Sequence, residues 1–172
     1  MIYHGAMTDD NPWLNRDEVR AWLSVIGLTE SLPQLLSAQL KKESSINSFD
    51  YMVLAGLSES PDRTIGMTDL AAFVTGSLSR LSHALTKMEK HGWVRRQPMA
   101  ENGRQTEVVL TDEGMSAVEH AAPGHVGLVR QLFIDTLGSD QALELGRLAG
   151  LVLAEVNPAG KQMIDERYSK RS

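Results

Sequence analysis

Apolar residues recur at helical spacing along most of the chain and predict a protein built mainly from helices. Asn15 followed by Glu18 predicts a capping box, after which apolar positions three and four apart continue the first helix to about residue 45. Pro33 lies within this helix and either kinks it or restarts it. Later helices are expected to begin at residues that can cap a helix N-terminus, namely Ser48, Thr68, Ser77, Thr111 and Ser139.

Two short helices and a hairpin follow one another in the middle of the chain. The second of these helices carries four apolar residues spaced three, four and three apart, which predict one buried stripe: Leu78, Leu81, Leu85 and Met88. Gly92 suits the position that follows a helix C-terminus. Strand-like runs at 93–96 and 107–110 flank Asn102-Gly103, a strong hairpin signal. This order predicts a winged helix-turn-helix.

The outer face of the second helix has the chemistry of a DNA-reading surface. Small hydroxyl side chains let a helix approach base edges, and Arg or Lys reaches guanine acceptors or phosphates. Ser77 leaves backbone N–H groups and the positive end of the helix dipole available to a phosphate. An arginine at the hairpin tip can enter a narrow minor groove. The predicted DNA-binding residues are Ser77, Ser79, Arg80, Ser82, His83, Thr86, Lys87, Arg95, Arg96 and Arg104.

The distribution of charge changes the meaning of an acidic total. The 172 residues carry a formal net charge of −5, which taken whole disfavours a protein that coats nucleic acid. Residues 77–105 carry six basic and two acidic side chains, a net of +4, whereas 1–76 and 106–172 carry −5 and −4. The basic stretch could be a solvated face, and Arg104 a hairpin-tip residue without a partner. The coincidence of charge, turn and wing favours DNA binding.

Three motifs around this helix and wing follow the pattern of a known family. They are LTKMEKHGWVRR at 85–96, Asn102-Gly103-Arg104, and VLTDEG at 109–114. On these residues the sequence resembles the MarR (multiple antibiotic resistance regulator) family of bacterial transcription factors. Asn102 stands where the family has an Asp that orients the wing arginine, and Trp93 stands where Leu is typical.

The resemblance implies a homodimer whose first helix and last two helices form the interface. Such a dimer would read a pseudo-palindrome with half-sites about 10 bp apart. The resemblance also implies release of DNA when a small molecule binds between the dimerisation helices and the DNA-binding lobe. Independently, both ends of the chain carry more apolar residues than a wing-and-helix unit needs, and these must be buried somewhere.

The predicted fold class is mainly α with a small β-wing, a winged helix-turn-helix with N- and C-terminal dimerisation helices. Its segments are a flexible N-terminus at 1–14 (with Met7 a second candidate start after 1–6), a dimerisation helix at 15–45, the DNA-binding domain at 46–111, dimerisation helices at 112–157 and a C-terminal tail at 158–172.

Other classes of function find little support in the sequence. Cysteine is absent, which excludes disulfides and thiolate–zinc sites. His120 and His125 are five residues apart and miss the i, i+4 spacing of a helical metal pair. Phosphate loops, nucleophile elbows and Ser/His/Asp spacings do not occur, so no catalytic site, cofactor or metal is expected. The absence of a long apolar run and of a signal peptide predicts a cytoplasmic protein without a membrane partner.

The sequence therefore predicts a ligand-responsive transcriptional repressor whose partners are double-stranded DNA, a second copy of itself and a small-molecule effector. The candidate effector-binding residues are Trp22, Met52, Phe73 and His125. Trp13 and Trp22 are alternatively part of a dimer core. The alternative function is a winged-helix protein–protein interaction module that binds no DNA, and a third is an enzyme whose site carries no recognisable motif. The sequence does not specify the operator, the regulated genes or the effector.

Overall fold

The computed structural model describes residues 13–100 and 102–169, and the chain divides into two compact units. The first unit extends to Leu36 and contains most of α1 (Arg16–Ser44). The predicted capping box closes this helix: Asn15 Oδ1 accepts the Glu18 N–H at 3.0 Å, and Glu18 Oε2 accepts the Asn15 N–H at 2.7 Å. Pro33 lies inside one continuous helix, so the alternative of a restart is wrong. Residues 1–12 of the predicted flexible segment lie outside the described residues.

The second unit begins at Ser37 and holds the end of α1 together with the remaining described elements. In chain order these are α2 (Ser48–Ser58), β1 (Thr64–Gly66), α3 (Met67–Phe73), α4 (Leu78–Lys90), β2 (Val94–Pro98), β3 (Thr106–Leu110), α5 (Asp112–Val129), α6 (Asp135–Leu137), α7 (Ser139–Val156) and α8 (Pro158–Ser169). A π-helical segment (Arg130–Ile134) joins α5 to α6. The predicted fold, mainly helical with a small β-wing, is confirmed. None of the described helices combines the length and the apolar character of a membrane span.

The predicted capping residues of α4 and α5 are confirmed. Ser77 caps α4, because its Oγ accepts the Arg80 N–H at 3.2 Å. Thr111 caps α5 in the same way and accepts the Gly114 N–H at 3.0 Å. Gly92 follows α4 with φ +74°, a left-handed conformation that favours glycine. Both α4 and α5 therefore begin at the positions predicted from the sequence.

Three other predicted caps are wrong. Asn47 rather than Ser48 caps α2, because Asn47 Oδ1 accepts the Asp50 N–H at 2.9 Å. Thr68 and Ser139 lie inside α3 and α7, whose N-cap positions are glycines without a capping side chain. Local sequence identified each helix but misplaced its first residue by one or two positions.

The wing belongs to a three-stranded antiparallel sheet with strand order β1–β3–β2. Thr64 of β1 lies opposite Val109, and Val94 of β2 lies opposite Leu110. β1 is not predicted by the sequence pattern, because three residues are too few to display the alternation of a strand. Through β1 the base of the wing is hydrogen-bonded to the segment that leads into α3.

The buried face of α4 packs into the core of the second unit. Leu81, Leu85 and Met88 are completely buried there. Leu78, predicted as the fourth member of the stripe, is 51% exposed, and that prediction is wrong. Leu78 is the first residue of α4, one turn before Leu81 and Ser82, so the core does not extend to the N-terminal end of the helix.

The first turn of α5 lies directly on the backbone that enters the wing. A Cβ placed on Gly114 would stand 2.1 Å from the carbonyl oxygen of Trp93 and 2.6 Å from Leu110 Cδ1, so only glycine fits. The Thr111 hydroxyl donates to the Gly92 carbonyl at 2.6 Å. The residues of the VLTDEG motif thus fix the base of the wing against α5.

Residues 158–169, predicted as part of a tail, instead form α8. Pro158 follows the end of α7 as predicted, but it opens a new helix, because proline is tolerated in a first helical turn. Asn157 Nδ2 donates to the Ala72 carbonyl at 2.9 Å, and α8 packs on α3. The C-terminal helix therefore covers the first helix of the helix-turn-helix.

Candidate nucleic-acid interface

The face of α4 opposite its buried stripe is exposed and rich in hydroxyl and basic side chains. Six predicted contact residues are exposed there, and Ser82 is partly buried: Ser77, Ser79, Arg80, His83, Thr86 and Lys87. Lys90, which the sequence analysis did not include, is exposed at the C-terminal end of the same helix. The structure thus brings the predicted α4 residues onto one surface.

Arg80 is held against α2 rather than extending freely. Its guanidinium carbon lies 4.1 Å from the centroid of the Phe49 ring, which is within the range of a cation–π interaction. A Cβ on Gly76 would stand 2.9 Å from the same ring, so Phe49 also packs against the turn before α4. Phe49 was not among the predicted functional residues, and its role depends on tertiary packing.

Lys87 makes an ion pair with a buried carboxylate. Its Nζ lies 3.1 Å from Asp50 Oδ2, and the same oxygen accepts a hydrogen bond from Asn47 Nδ2 at 2.8 Å. The Asp50 side chain is 5% exposed, whereas that of Lys87 is 52% exposed. Sequence analysis found only one acid within α4 and missed this partner, which lies 37 residues earlier.

Arg96 joins the wing to α4 through a network of hydrogen bonds. Its Nε donates to Glu89 Oε1 at 3.1 Å, and its second terminal nitrogen donates to Glu89 Oε2. The guanidinium also donates to Thr86 Oγ1 at 3.1 Å and to Ser82 Oγ at 3.4 Å. Hydrogen bonds from Arg96 lower the pKa of Glu89, and those to Glu89 raise the pKa of Arg96. The arginine predicted to reach the DNA backbone is therefore a clamp between helix and wing.

Arg95 and Arg96 lie on opposite faces of β2, because successive residues of a strand alternate. The Arg95 side chain is exposed and hydrogen-bonds to Gln97 Oε1, while Arg96 faces α4. The structure thus separates two residues that the sequence analysis treated together.

Arg104 is exposed at the tip of the wing. Its backbone N–H donates to Asn102 Oδ1 at 3.3 Å, and the Gln105 N–H donates to the Asn102 carbonyl at 2.8 Å. Asn102 thus shapes the turn beneath Arg104, although it lacks the negative charge of an Asp. Glu101, the acidic residue next to it, lies outside the described residues.

The four candidate effector-binding residues have different surroundings. Trp22 belongs to the first unit and the other three to the second. Met52 is exposed on α2, and the Phe73 ring lies 4.7 Å from the guanidinium of Arg167 on α8. The His125 ring lies 4.4 Å from that of Tyr51, and burial lowers the pKa of His125. Phe73 and His125 thus have different ring partners, Arg167 and Tyr51.

Similar proteins were found among known sequences and solved structures. The sequence model of the MarR family matches residues 46–106. A MarR family transcriptional regulator from Streptomyces coelicolor, solved in complex with DNA, is 37% identical to this chain; the comparison covers 86% of this chain and 92% of that one, with a TM-score of 0.80. This chain belongs to the MarR family.

Two further relatives agree with this assignment. AbsC, a MarR family transcriptional regulator from Streptomyces coelicolor, is 34% identical over 85% of this chain and 98% of that one, with a TM-score of 0.74. The transcriptional regulator PecS from Dickeya dadantii is 25% identical over 132 residues, which are 74% of this chain and 79% of PecS. The region matched by the MarR family model contains α2, α3, α4 and β2, and so includes the clamp and the exposed face of α4.

Proposed function

We propose that this MarR family protein is a homodimeric repressor that reads a pseudo-palindromic operator. The observation that carries the proposal is the exposed hydroxyl and basic face of α4 beside an exposed arginine at the wing tip, within residues 77–105, whose side chains carry a net charge of +4. A helix of this kind enters the major groove, and a wing arginine enters the adjacent minor groove. A similar regulator has been solved in complex with DNA, which supports DNA binding by this chain.

The contacts of each side chain suggest different roles at the operator. Ser79 and His83, which are exposed on the α4 face, are assigned to base edges. Ser77 and the first N–H groups of α4 are suited to a phosphate. Arg104 is assigned to the minor groove, and Arg96 to holding the wing at a fixed distance from α4.

Dimerisation would give the exposed apolar stripe of α7 a partner. Leu148, Leu151, Val152 and Val156 have the spacing of one helix face and are 45%, 60%, 65% and 73% exposed. An apolar stripe of this length on one helix is typical of a surface that is buried in an assembly. A two-fold dimer built on it would present two copies of α4 to successive major grooves.

A small-molecule effector would release the operator by favouring a different spacing of the two α4 helices. Among the predicted effector-binding residues, His125 is the one with a buried polar atom that lacks a hydrogen-bond partner in the part of the chain that the structure describes. Its Nδ1 is buried and, within the described residues, has no hydrogen-bond partner, as is also true of Gln39 Oε1. Buried polar atoms without partners are uncommon, and a polar group of an effector would satisfy His125 Nδ1.

The proposal is tested by fluorescence anisotropy with duplexes from the region upstream of the protein's own gene. We expect binding that weakens steeply between about 50 and 200 mM salt, because phosphate contacts release counterions. Sedimentation of the same sample should show a dimer at micromolar concentration. A protein that shifts no duplex, or whose binding is independent of salt, contradicts DNA binding and favours the protein–protein interaction module. A monomer contradicts the assembly.

A further inference from the structure

Leu78 is the largest apolar side chain exposed on the first turn of α4. The residues on either side of it, Ser77 and Ser79, are short and hydroxylated. Half of the Leu78 surface is open, whereas the next apolar residue of the stripe, Leu81, is completely buried. Leu78 lies one turn before Ser82, on the flank of α4 that faces the wing. Single exposed leucines are common on protein surfaces, so its position decides its meaning.

Leu78 lies at the part of a helix-turn-helix that contacts DNA bases. In helix-turn-helix proteins the N-terminal residues of the second helix contact base edges in the major groove. The helix begins at Leu78, directly after its cap. An apolar side chain at this point would meet either a polar base edge, which gains nothing from it, or the 5-methyl group of thymine, which is the apolar feature of the major groove.

The basic side chains nearby are engaged by groups of the protein. Arg80 lies over the Phe49 ring, Lys87 pairs with Asp50, and Arg96 is bound by Glu89. Of these three, only Arg80 belongs to the first turn of α4, and its guanidinium is held over the ring of Phe49 in α2. The other exposed side chains of this turn are Ser77, Leu78 and Ser79, a surface suited to A·T pairs rather than to bidentate recognition of guanine.

We propose that Leu78 reads a thymine in each half-site through contact with its 5-methyl group. This inference rests on the proposed function, since it assumes that α4 enters the major groove. Burying one methyl group is worth about a fourfold change in affinity per half-site, and about fifteenfold for a dimer that makes the contact twice. Leu78 thereby sets sequence preference without adding charge.

The test compares thymine with deoxyuridine, which differs only by the methyl group. Duplexes are selected from a random library with the full-length wild-type protein, and each thymine of the selected half-site is then replaced singly by deoxyuridine. Affinities are measured at one salt concentration for the wild type, for Leu78→Ala and for a matched control, Ile164→Ala, which truncates an exposed apolar side chain on α8. Circular dichroism should show that all three proteins are equally folded, because both substituted side chains are exposed.

At one thymine position we expect the wild type and Ile164→Ala to lose about fourfold in affinity per half-site, whereas Leu78→Ala binds both duplexes equally. The inference is overturned if no thymine position distinguishes the two bases, or if Leu78→Ala retains the same discrimination. In both cases specific DNA binding by the wild type leaves the proposed function standing. A wild-type protein that selects no duplex overturns both.

Discussion

Replacing Glu89 and Arg96 singly and together measures how strongly the wing is held to α4. Glu89 accepts hydrogen bonds from the Arg96 backbone N–H and from its guanidinium, so the pair combines charge with two-point geometry. The two side chains are 31% and 29% exposed, which places the pair between surface and buried ion pairs. Fully exposed pairs contribute about 0.2–1 kcal/mol, whereas breaking a buried pair costs about 3–5 kcal/mol.

We therefore expect Glu89→Gln to lower the free energy of unfolding by about 1.5 kcal/mol and Arg96→Ala by about 2 kcal/mol. The double variant should lose less than the sum, with a coupling of about 1 kcal/mol, because the second substitution has no partner left to remove. The assay is urea unfolding at pH 7 and at one fixed protein concentration, since the stability of a dimer depends on concentration.

The pH dependence provides a second readout of the same pair. Hydrogen bonds from Arg96 lower the folded-state pKa of Glu89, so the stability it contributes is complete above the unfolded pKa of about 4.3 and is lost as the pH falls through the folded value. The difference between wild type and Glu89→Gln should therefore shrink in acid. A coupling below about 0.3 kcal/mol would refute the clamp. If Arg96→Ala then also reduced the salt dependence of DNA binding, Arg96 would be a phosphate contact, as the sequence predicted.

Three further predictions follow from single sites. Gly114→Ala should destabilise the protein by about 3 kcal/mol or more in urea unfolding, because its Cβ would overlap a backbone carbonyl. Gly127→Ala, which has open space on the same helix, should stabilise the protein by about 0.5–1 kcal/mol. Equal effects of the two substitutions would contradict the packing of α5. Arg104→Ala should weaken binding and relax preference for A·T-rich flanks in anisotropy, and Lys161→Ala on α8 should not; unchanged affinity would exclude the wing from the interface. Burial lowers the pKa of His125, so the unfolded chain binds the proton more tightly, and the stability of the wild type should fall as the pH drops below about 6.5. His125→Gln should flatten this dependence of the thermal-unfolding midpoint on pH. An equally steep pH dependence in the variant would contradict the role of His125.

The features that could be predicted from the sequence are those that depend on neighbouring residues. Asn15 and Glu18 are three positions apart, and the Ser77 cap acts on a residue three positions later, so the local sequence contains the whole interaction. The same is true of the Gly92 turn and the wing hairpin. The exposed face of α4 was also predictable, because helical periodicity separates it from the buried stripe.

The features that were missed depend on residues far apart in the chain. The partner of Lys87 is Asp50, and the cover of α3 comes from Asn157 and α8. Periodicity cannot show such pairings, since many acids and helices compete for each position until the fold is known. The exposure of Leu78 was missed for the opposite reason: Leu78 continues the spacing of the stripe toward the start of α4, but the core begins only one turn later, at Leu81. The sequence thus identified side chains that the structure brings onto one surface of α4, but not how the arginines and the lysine are held; that this surface binds DNA stays a prediction.

The packing of α8 on α3 links the first helix of the helix-turn-helix to a segment far along the chain. The Ala72 carbonyl receives its hydrogen bond from Asn157, 85 residues later, and Glu59 receives one from Tyr168, 109 residues later. During translation the winged helix emerges well before α8, so α3 remains uncovered until α8 has been made. A chain cut before Pro158 would contain every predicted DNA-contact residue but would lack the cover of α3. The helix-turn-helix therefore reaches its final packing only after a segment that contains none of its own residues has been synthesised.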